Sequence, residues 1–108
     1  VIAPNHSVYE KNIFKPVTYS VVKHGIIGLT KYISTYWSKY KIRCNAISPG
    51  PILHKQSSKF VNKIKKQIPL NRMADKKEYR GAIQFLSSDA SSYMTGHNLI
   101  IDGGRSVW

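Results

Sequence analysis

Two short apolar segments, separated by sequence with a helical pattern, constrain the fold of this chain more than any other feature. The first covers residues 41–48 and stops at Pro49-Gly50-Pro51, and the second is Leu99-Ile100-Ile101, which stops at Asp102-Gly103-Gly104. Short, mostly uncharged runs that end at proline or glycine are typical of β-strands. Because helical sequence separates the two strands, we expect them to lie parallel in one sheet, joined by a right-handed crossover.

A long amphipathic helix is predicted before the first strand. Apolar residues recur at steps of three or four from Val22 to Tyr40, which places them on one helical face. Pro16 suits the first turn of this helix, where its missing N–H costs nothing. Gly25 and Gly28 each cost up to about 1 kcal/mol relative to alanine, and the pair therefore predicts close packing of another backbone against the helix.

Two further helices are predicted between the strands. Residues 56–67 have the pattern of a short basic helix, which Pro69 follows. Asp75 and Glu78, three positions later, form a capping-box pattern, and the apolar positions after it predict a helix that runs to about Ser88. Two short parallel strands cannot cover both faces of a sheet or protect its edges, so we expect this α/β chain to be the end of a larger domain.

The charge balance is strongly basic, with 17 Lys and Arg against 5 Asp and Glu and a formal net charge of +12. The densest lysine stretch lies between Lys55 and Lys66. It raises the alternative of a small basic module that contacts nucleic acid or an anionic surface. Phe60 is the one aromatic residue in this stretch, and no zinc-ligand spacing or recognition helix accompanies it, so a solvated face is the favoured interpretation.

Cysteine content and hydropathy narrow the class of protein. The single cysteine, Cys44, excludes an internal disulfide, and no apolar run is long enough to span a bilayer. Hydrophobic residues make up 42% of the chain, which is typical of a globular protein and not of a disordered one. We therefore expect a cytoplasmic protein that neither enters a membrane nor binds nucleic acid.

Tyr19 and Lys23 are the first candidates for chemistry. On a helix they stand four positions apart and share a face. A phenol has an ordinary pKa of about 10 and is a poor base at neutral pH, but a nearby ammonium group favours the phenolate. Such a pair can pass a proton to or from a substrate oxygen. Taken alone the pair is a weak signal, because tyrosine and lysine are both common on solvated helices.

Five motifs follow one another along the chain. They are residues 19–30 (YSVVKHGIIGLT), 42–50 (IRCNAISPG), 68–73 (IPLNRM), 85–91 (FLSSDAS) and 95–104 (TGHNLIIDGG). Together they resemble the C-terminal part of the short-chain dehydrogenase/reductase family. The resemblance implies a doubly wound, Rossmann-type parallel sheet with flanking helices, and makes residues 1–108 the C-terminal segment of a single NAD(P)-binding domain.

The resemblance also implies roles for residues that match the family's motifs. Tyr19 matches the catalytic tyrosine, which gives a proton to a carbonyl oxygen or takes one from an alcohol. Lys23 matches the lysine that assists it, and both residues contact the cofactor. Pro49 and Gly50 match the loop beside the nicotinamide, and Ile52 matches the position whose backbone contacts the carboxamide. The implied reaction is hydride transfer between NAD or NADP and a carbonyl compound or secondary alcohol, with no metal.

This sequence departs from the family's pattern at several positions. His54 stands where many relatives have a cofactor-binding threonine, which puts that cofactor contact in doubt. The catalytic serine is expected either at Ser7 or before Val1. The glycine-rich loop that holds the pyrophosphate at a helix N-terminus is absent from these residues, so the isolated chain is expected to be inactive.

Assembly and substrate follow from the same resemblance. It implies a homodimer or homotetramer, in which the helix over residues 19–40 forms one interface and residues 96–104 contribute to another. The basic stretch at residues 55–66 favours either an acidic substrate or simple solvation. The sequences around residues 3–5 and 19–23 are similar to members associated with surface-glycan and flagellin modification, so sugar metabolism is one expectation. A non-catalytic relative is a further alternative, which the intact Tyr19 and Lys23 disfavour.

Overall fold

The computed structural model describes residues 2–10 and 13–107. Its helices and strands are α1 (Val17–Tyr36), β1 (Ala46–Pro49), α2 (Ser58–Lys65), α3 (Arg80–Leu86) and β2 (Asn98–Ile101). Short 3-10 helices lie at His6–Val8, Ser38–Tyr40, Lys76–Tyr79 and Asp89–Ser91. The order of helices and strands is the one that the sequence predicts.

The two strands form a parallel sheet, as expected from the helices between them. The register runs from Ala46 opposite Asn98 to Pro49 opposite Ile101. At the far end, the N–H of Gly50 donates to the carbonyl of Ile101 at 2.8 Å. Both strands therefore end at the same edge of the sheet, and the loops that follow them lie side by side.

The first strand begins later than the sequence predicts. Residues 41–45 make irregular contacts instead of a ladder, and several of these contacts use side chains. The N–H of Cys44 donates to Oγ1 of Thr95 at 3.1 Å, and Oδ1 of Asn45 accepts from the N–H of His97 at 3.0 Å. Because these side-chain bonds replace regular backbone pairs, the sheet begins at Ala46.

The long helix is shorter than predicted at its C-terminal end. It begins directly after Pro16, which is extended, and it ends at Tyr36. A 3-10 turn over Ser38–Tyr40 follows, and Lys41 then adopts a left-handed conformation with φ of 59°. A left-handed residue of this kind commonly ends a helix. The apolar residues that recur up to Tyr40 in the sequence therefore continue past the end of α1.

Most of the apolar face of α1 is exposed. Thr30 and Ser34 are its buried residues, whereas Leu29 is 56% exposed. A Cβ added at Gly25 or Gly28 would meet no atom of residues 2–10 and 13–107 within 4 Å. The close backbone packing that these glycines predict is therefore not made by the described part of this chain.

Side-chain caps precede the two shorter helices, directly at α2 and at the 3-10 turn that leads into α3. Oγ of Ser57 accepts from the N–H of Phe60 at 3.3 Å at the start of α2. The capping box is confirmed: Oδ1 of Asp75 accepts from the N–H of Lys77 at 2.7 Å, and the N–H of Asp75 donates to Glu78 at 2.8 Å. The box begins a 3-10 turn that leads into α3, so the helix starts later than the box alone predicts.

The C-terminal end of α3 is held by Arg43, a residue far away in the sequence. Its Nη2 donates to the carbonyls of Leu86 and Ser88 at 3.0 and 3.2 Å. Its Nη1 donates to Oγ of Ser91 and to the carbonyl of Met94 at 3.0 and 3.3 Å. A cation at this place satisfies free carbonyls and opposes the negative end of the helix dipole. The helix ends at Leu86, two residues before the predicted Ser88.

The buried core lies beside the sheet edge and not under α1. It consists of Val8, Ile64, Ile68 and Met73, with Tyr9, Phe60 and Val61 packed against it. The core therefore joins the N-terminal segment to α2, and this pairing covers the loops that follow β1. No helix in the described part of the chain is long and apolar enough to cross a bilayer.

Candidate functional site

A close backbone contact shapes the loop that follows β1. A Cβ at Gly50 would lie 2.6 Å from Cα of Asp102 and 3.0 Å from its carbonyl oxygen. Real Cβ atoms do not approach backbone atoms so closely, so only glycine allows the two loops to pass at this distance. The sequence predicts Gly50 beside a cofactor, and the structure shows that it is also required where the loops cross.

Asp102 organises the second loop. Its Oδ1 accepts from the N–H of Gly104 at 2.9 Å and its Oδ2 from the N–H of Ser106 at 2.8 Å. Burial raises the pKa of the Asp102 carboxyl, but the hydrogen bonds from Ser106, Gly104 and Arg105 outweigh this effect and hold the pKa below its ordinary value. The carboxylate thus fixes the turn that carries Arg105 towards the sheet edge.

Ile52 is oriented by a single parallel bridge to Ala74. The N–H of Leu53 donates to the carbonyl of Ala74 at 2.9 Å, and the N–H of Ala74 donates to the carbonyl of Pro51 at 2.9 Å. In a parallel bridge the flanking residues supply these bonds, so the N–H and C=O of Ile52 itself point away from Ala74. The carbonyl of Ile52 accepts from Nε2 of Gln56 at 3.0 Å.

A cleft of about 500 Å³ opens at the edge where the strands end. Its lining includes all five residues for which the sequence predicts a role: Tyr19, Lys23, Pro49, Gly50 and Ile52. Helix α1 supplies the first two, and the loop after β1 supplies the other three. The structure therefore brings the two groups together around one space, which is the usual place for a ligand in an open α/β sheet. Their roles remain predictions.

Tyr19 stands between two lysines. Its side chain is 42% exposed, and Nζ of Lys23 lies 5.7 Å from the centroid of its ring. Nζ of Lys15 is closer, at 4.6 Å. The helical spacing predicts the first neighbour. It does not predict the second, because Lys15 precedes the helix and the four-residue rule applies only within one.

Ser7 and His54 are not among the residues that line the cleft. Ser7 lies in an exposed 3-10 turn, where its N–H donates to Oδ1 of Asn5 at 3.0 Å and its carbonyl accepts from Nζ of Lys63 at 3.3 Å. The N–H of His54 donates to Oε1 of Gln56 at 2.7 Å. The structure thus brings neither side chain to the other site residues, and a catalytic role for Ser7 stays one of two open predictions.

Among residues 2–10 and 13–107, no group of three His, Cys, Asp or Glu side chains is placed to hold a metal ion. Cys44 is a free thiol of intermediate burial. The polar groups that border the cleft include the Tyr19 phenol, the ammonium groups of Lys15 and Lys23, and the side chains of Ser20, Gln56 and Arg105.

Comparison with known proteins identifies the family. The family model described as enoyl-(acyl carrier protein) reductase matches residues 4–106. The crystal structure of a short-chain dehydrogenase from Leptospira borgpetersenii with bound NAD+ aligns with a TM-score of 0.88 and 41% sequence identity over 95% of this chain. This chain belongs to the short-chain dehydrogenase/reductase family. The resemblance carried by the five motifs is confirmed, and so is the Rossmann-type α/β fold class.

Two curated relatives illustrate the family's range. A ribulose-forming D-arabinitol 2-dehydrogenase from Candida tropicalis is 42% identical over 98 residues, which are 83% of this chain and 35% of the relative. An NADH-dependent L-xylulose reductase from Ambrosiozyma monospora is 38% identical over 100 residues, which are 85% of this chain and 37% of the relative. The chain thus spans about a third of the length of these short-chain dehydrogenase/reductase relatives.

Proposed function

We propose that this chain is the C-terminal segment of a single-domain NAD(P)-dependent oxidoreductase. The whole protein transfers a hydride between nicotinamide and a carbonyl compound or secondary alcohol. One observation carries the proposal: Tyr19 and Lys23 on α1 face Pro49, Gly50 and Ile52 across one cleft at the strand ends. Family membership and the dehydrogenase relatives support this reading of the arrangement.

The proposed proton transfer belongs to Tyr19. When an alcohol is oxidised, its hydroxyl proton passes to the Tyr19 oxygen, and when a carbonyl is reduced, the Tyr19 hydroxyl returns the proton to the carbonyl oxygen. Lys23, with Nζ 5.7 Å from the Tyr19 ring, adds positive charge where negative charge develops on the phenol. The half-exposed position of Tyr19 leaves its hydroxyl accessible to a small substrate.

The cleft fits the nicotinamide end of the cofactor, which supplies or accepts the hydride when bound. The oxygen of a carboxamide accepts hydrogen bonds, and Ile52 directs its backbone N–H away from the bridge to Ala74, where it can donate to such an oxygen. Gly50 borders the cleft, and its missing side chain lets the loop that carries Pro49 and Ile52 lie directly against Asp102. The cofactor is NAD or NADP, and these residues do not distinguish the two.

The substrate class that we propose is a small polyol or the corresponding ketose. A cleft of about 500 Å³ lies within the usual size of small-molecule sites. D-arabinitol and L-xylulose appear in the names of relatives that match at 42% and 38% identity. The cleft borders both polar groups, such as Ser20 and Gln56, and the apolar side chains of Phe60 and Met73.

The same proposal includes self-association and location. We expect a cytoplasmic homodimer or homotetramer, in which α1 packs against its copy. Its apolar side chains support this, because Val21 is 65% exposed and Leu29 is 56% exposed. Gly25 and Gly28 lie on the same helix with open space beside them, and glycine on a helix allows another backbone to come close.

The test uses the purified full-length protein and the absorbance of NADH. Tyr19→Phe removes the hydroxyl and should lower kcat by about a hundredfold or more, the scale of one general acid–base group. Tyr93→Phe is the matched control, because Tyr93 is fully exposed and does not line the cleft. Its kcat should equal that of the wild type. Unchanged turnover in Tyr19→Phe would contradict the proposal.

A further inference from the structure

The cleft is lined by cations and by no carboxylate. Lys15, Lys23 and Arg105 border it. The acidic residues of the whole chain are Glu10, Asp75, Glu78, Asp89 and Asp102, and the cleft lining includes none of them. Within the described residues, the three cations that border this space therefore face no carboxylate.

Several of these acids are engaged elsewhere. Glu10 pairs with Lys59 at 3.6 Å, and Glu78 pairs with Arg72 at 2.7 Å. The carboxylate of Asp102 accepts backbone N–H groups within its own turn. The positive charge of the cleft is thus a property of the folded chain and not only of its composition.

Two of the three cations are already engaged, one in the proposed chemistry and one in a hydrogen bond outside the cleft. Lys23 assists Tyr19 in the proposed chemistry, and Nη2 of Arg105 donates to Oε1 of Gln67 at 3.2 Å. Lys15 has no such assignment. Among residues 2–10 and 13–107, no carboxylate lies within ion-pair distance of its ammonium group, although the residue is half-buried.

The proline that follows Lys15 restricts its backbone, and its side chain contacts Tyr19. Pro16 follows it with φ of −62° and ψ of 150°, and α1 begins at the next residue. Proline restricts the backbone of the residue before it to extended conformations. From this backbone the Lys15 side chain reaches Tyr19, with its ammonium 4.6 Å from the ring centroid, which is a cation–π contact. The charge is held beside the residue that meets the reacting oxygen.

We infer that Lys15 is a specificity-determining residue that binds an anionic group, a carboxylate or a phosphate, on the substrate. This inference rests on the proposed oxidoreductase function. Because an ammonium–oxygen hydrogen bond is short and Lys15 adjoins Tyr19, the anionic group lies only a few bonds from the carbon that exchanges hydride. Within the proposed polyol class, the favoured substrate is then an anionic member, a sugar acid or a sugar-alcohol phosphate, which is used more efficiently than the neutral polyol.

The experiment compares three compounds with one carbon skeleton in the full-length protein: D-arabinitol, D-arabinitol 5-phosphate and D-arabinonate. We expect kcat/KM for one of the anionic compounds to exceed that for D-arabinitol by about tenfold, the scale of one charge-assisted hydrogen bond. Lys15→Gln should abolish this preference by raising KM for the anionic compound. It should leave KM for the nicotinamide cofactor and KM for the neutral polyol unchanged.

Two control variants separate charge from structure. Lys15→Arg keeps the cation and should retain the preference. Lys77→Gln removes an equal charge from an exposed residue outside the cleft and should leave all constants unchanged. If Lys15→Gln does not fold, the kinetics of the wild-type protein at increasing KCl concentrations test the inference instead. Screening should raise KM for the anionic compound and not for D-arabinitol.

The outcomes are distinguishable. Equal use of the neutral and anionic compounds overturns the inference, and so does a Lys15→Gln variant whose cofactor KM rises instead, since the anion would then belong to the cofactor. NADH binding without turnover of either anionic compound also overturns it. Absence of both NADH binding and turnover contradicts the proposed function itself.

Discussion

The guanidinium of Arg72 and the carboxylate of Glu78 meet in two parallel hydrogen bonds of 2.7 Å each. The hydrogen bond from Arg72 is the largest influence that holds the pKa of Glu78 at about 2, and the N–H of Asp75 lowers it further. The same carboxylate therefore closes the capping box and anchors the loop after Met73. Glu78 thus takes part both in the capping box with Asp75 and in the ion pair with Arg72.

This pair predicts a pH dependence of stability. The pKa of Glu78 is lower in the folded chain, about 2, than the ordinary value of about 4.3. Its stabilising contribution is fully present above the unfolded value and is lost as pH falls towards 2. We expect Glu78→Gln to lower Tm at neutral pH, by a modest amount because the pair is exposed. The wild-type and variant curves, measured by circular dichroism, should converge in acid.

Asp89→Asn is the control for that measurement, because the side chain of Asp89 makes no hydrogen bond or ion pair with residues 2–10 or 13–107. Its Tm should follow the wild type throughout. A constant difference in Tm between Glu78→Gln and wild type down to the lowest pH would show that the carboxylate charge is not the cause.

Arg43 should be important for stability although it lies outside the cleft. Arg43→Met removes the guanidinium bonds to the carbonyls of Leu86, Ser88 and Met94 and to the Ser91 hydroxyl. We expect the free energy of unfolding to fall by about 1–3 kcal/mol, the usual cost of losing hydrogen bonds to a charged group. Urea denaturation measures it. Arg80→Met, at an exposed arginine, is the control, and an equal loss in both variants would refute the assignment.

Gly50 should not tolerate a side chain, and Gly81 is the control for the same substitution. Gly50→Ala places a Cβ 2.6 Å from the backbone of Asp102, so the two loops must separate. We expect a loss of about 1–3 kcal/mol in stability and a strong fall in kcat/KM. Gly81→Ala in α3 meets no described atom within 4 Å and should stabilise the helix slightly. Thermal denaturation and NADH assays on both variants test this, and wild-type activity in Gly50→Ala would refute it.

The features that the sequence predicts correctly depend on local patterns. The parallel direction of the two strands follows from the order of helices and strands, and the capping box of Asp75 and Glu78 needs only four consecutive positions. The contacts of Arg43 join residues more than forty positions apart, and no local pattern indicates them. Lys15 is similar, because it approaches Tyr19 from the extended segment before Pro16, where helical spacing does not apply.

The exposed face of α1 predicts the assembly of the full-length protein. Leu29 is 56% exposed, and a charge there would be buried if α1 packs against its copy. We expect Leu29→Lys to shift light scattering towards a smaller species. Leu53→Lys is the control, because Leu53 is 55% exposed but lies in the loop after β1. A wild-type protein that is already monomeric, or an unchanged mass for Leu29→Lys, would exclude this interface.

The lysine stretch around α2 separates the oxidoreductase from a basic binding module. Nζ of Lys63 already donates to the carbonyl of Ser7 at 3.3 Å, and Lys59 pairs with Glu10 at 3.6 Å. These contacts connect α2 to the N-terminal segment, so the lysines contribute to the fold as well as to the solvated surface.

We expect a triple change of Lys59, Lys63 and Lys66 to Gln to leave kcat within about twofold, whereas loss of a general acid–base group costs at least about a hundredfold. Fluorescence anisotropy with labelled DNA should show only weak, salt-sensitive binding for the wild type. Tight binding that the triple change abolishes and Tyr19→Phe does not affect would favour the binding module.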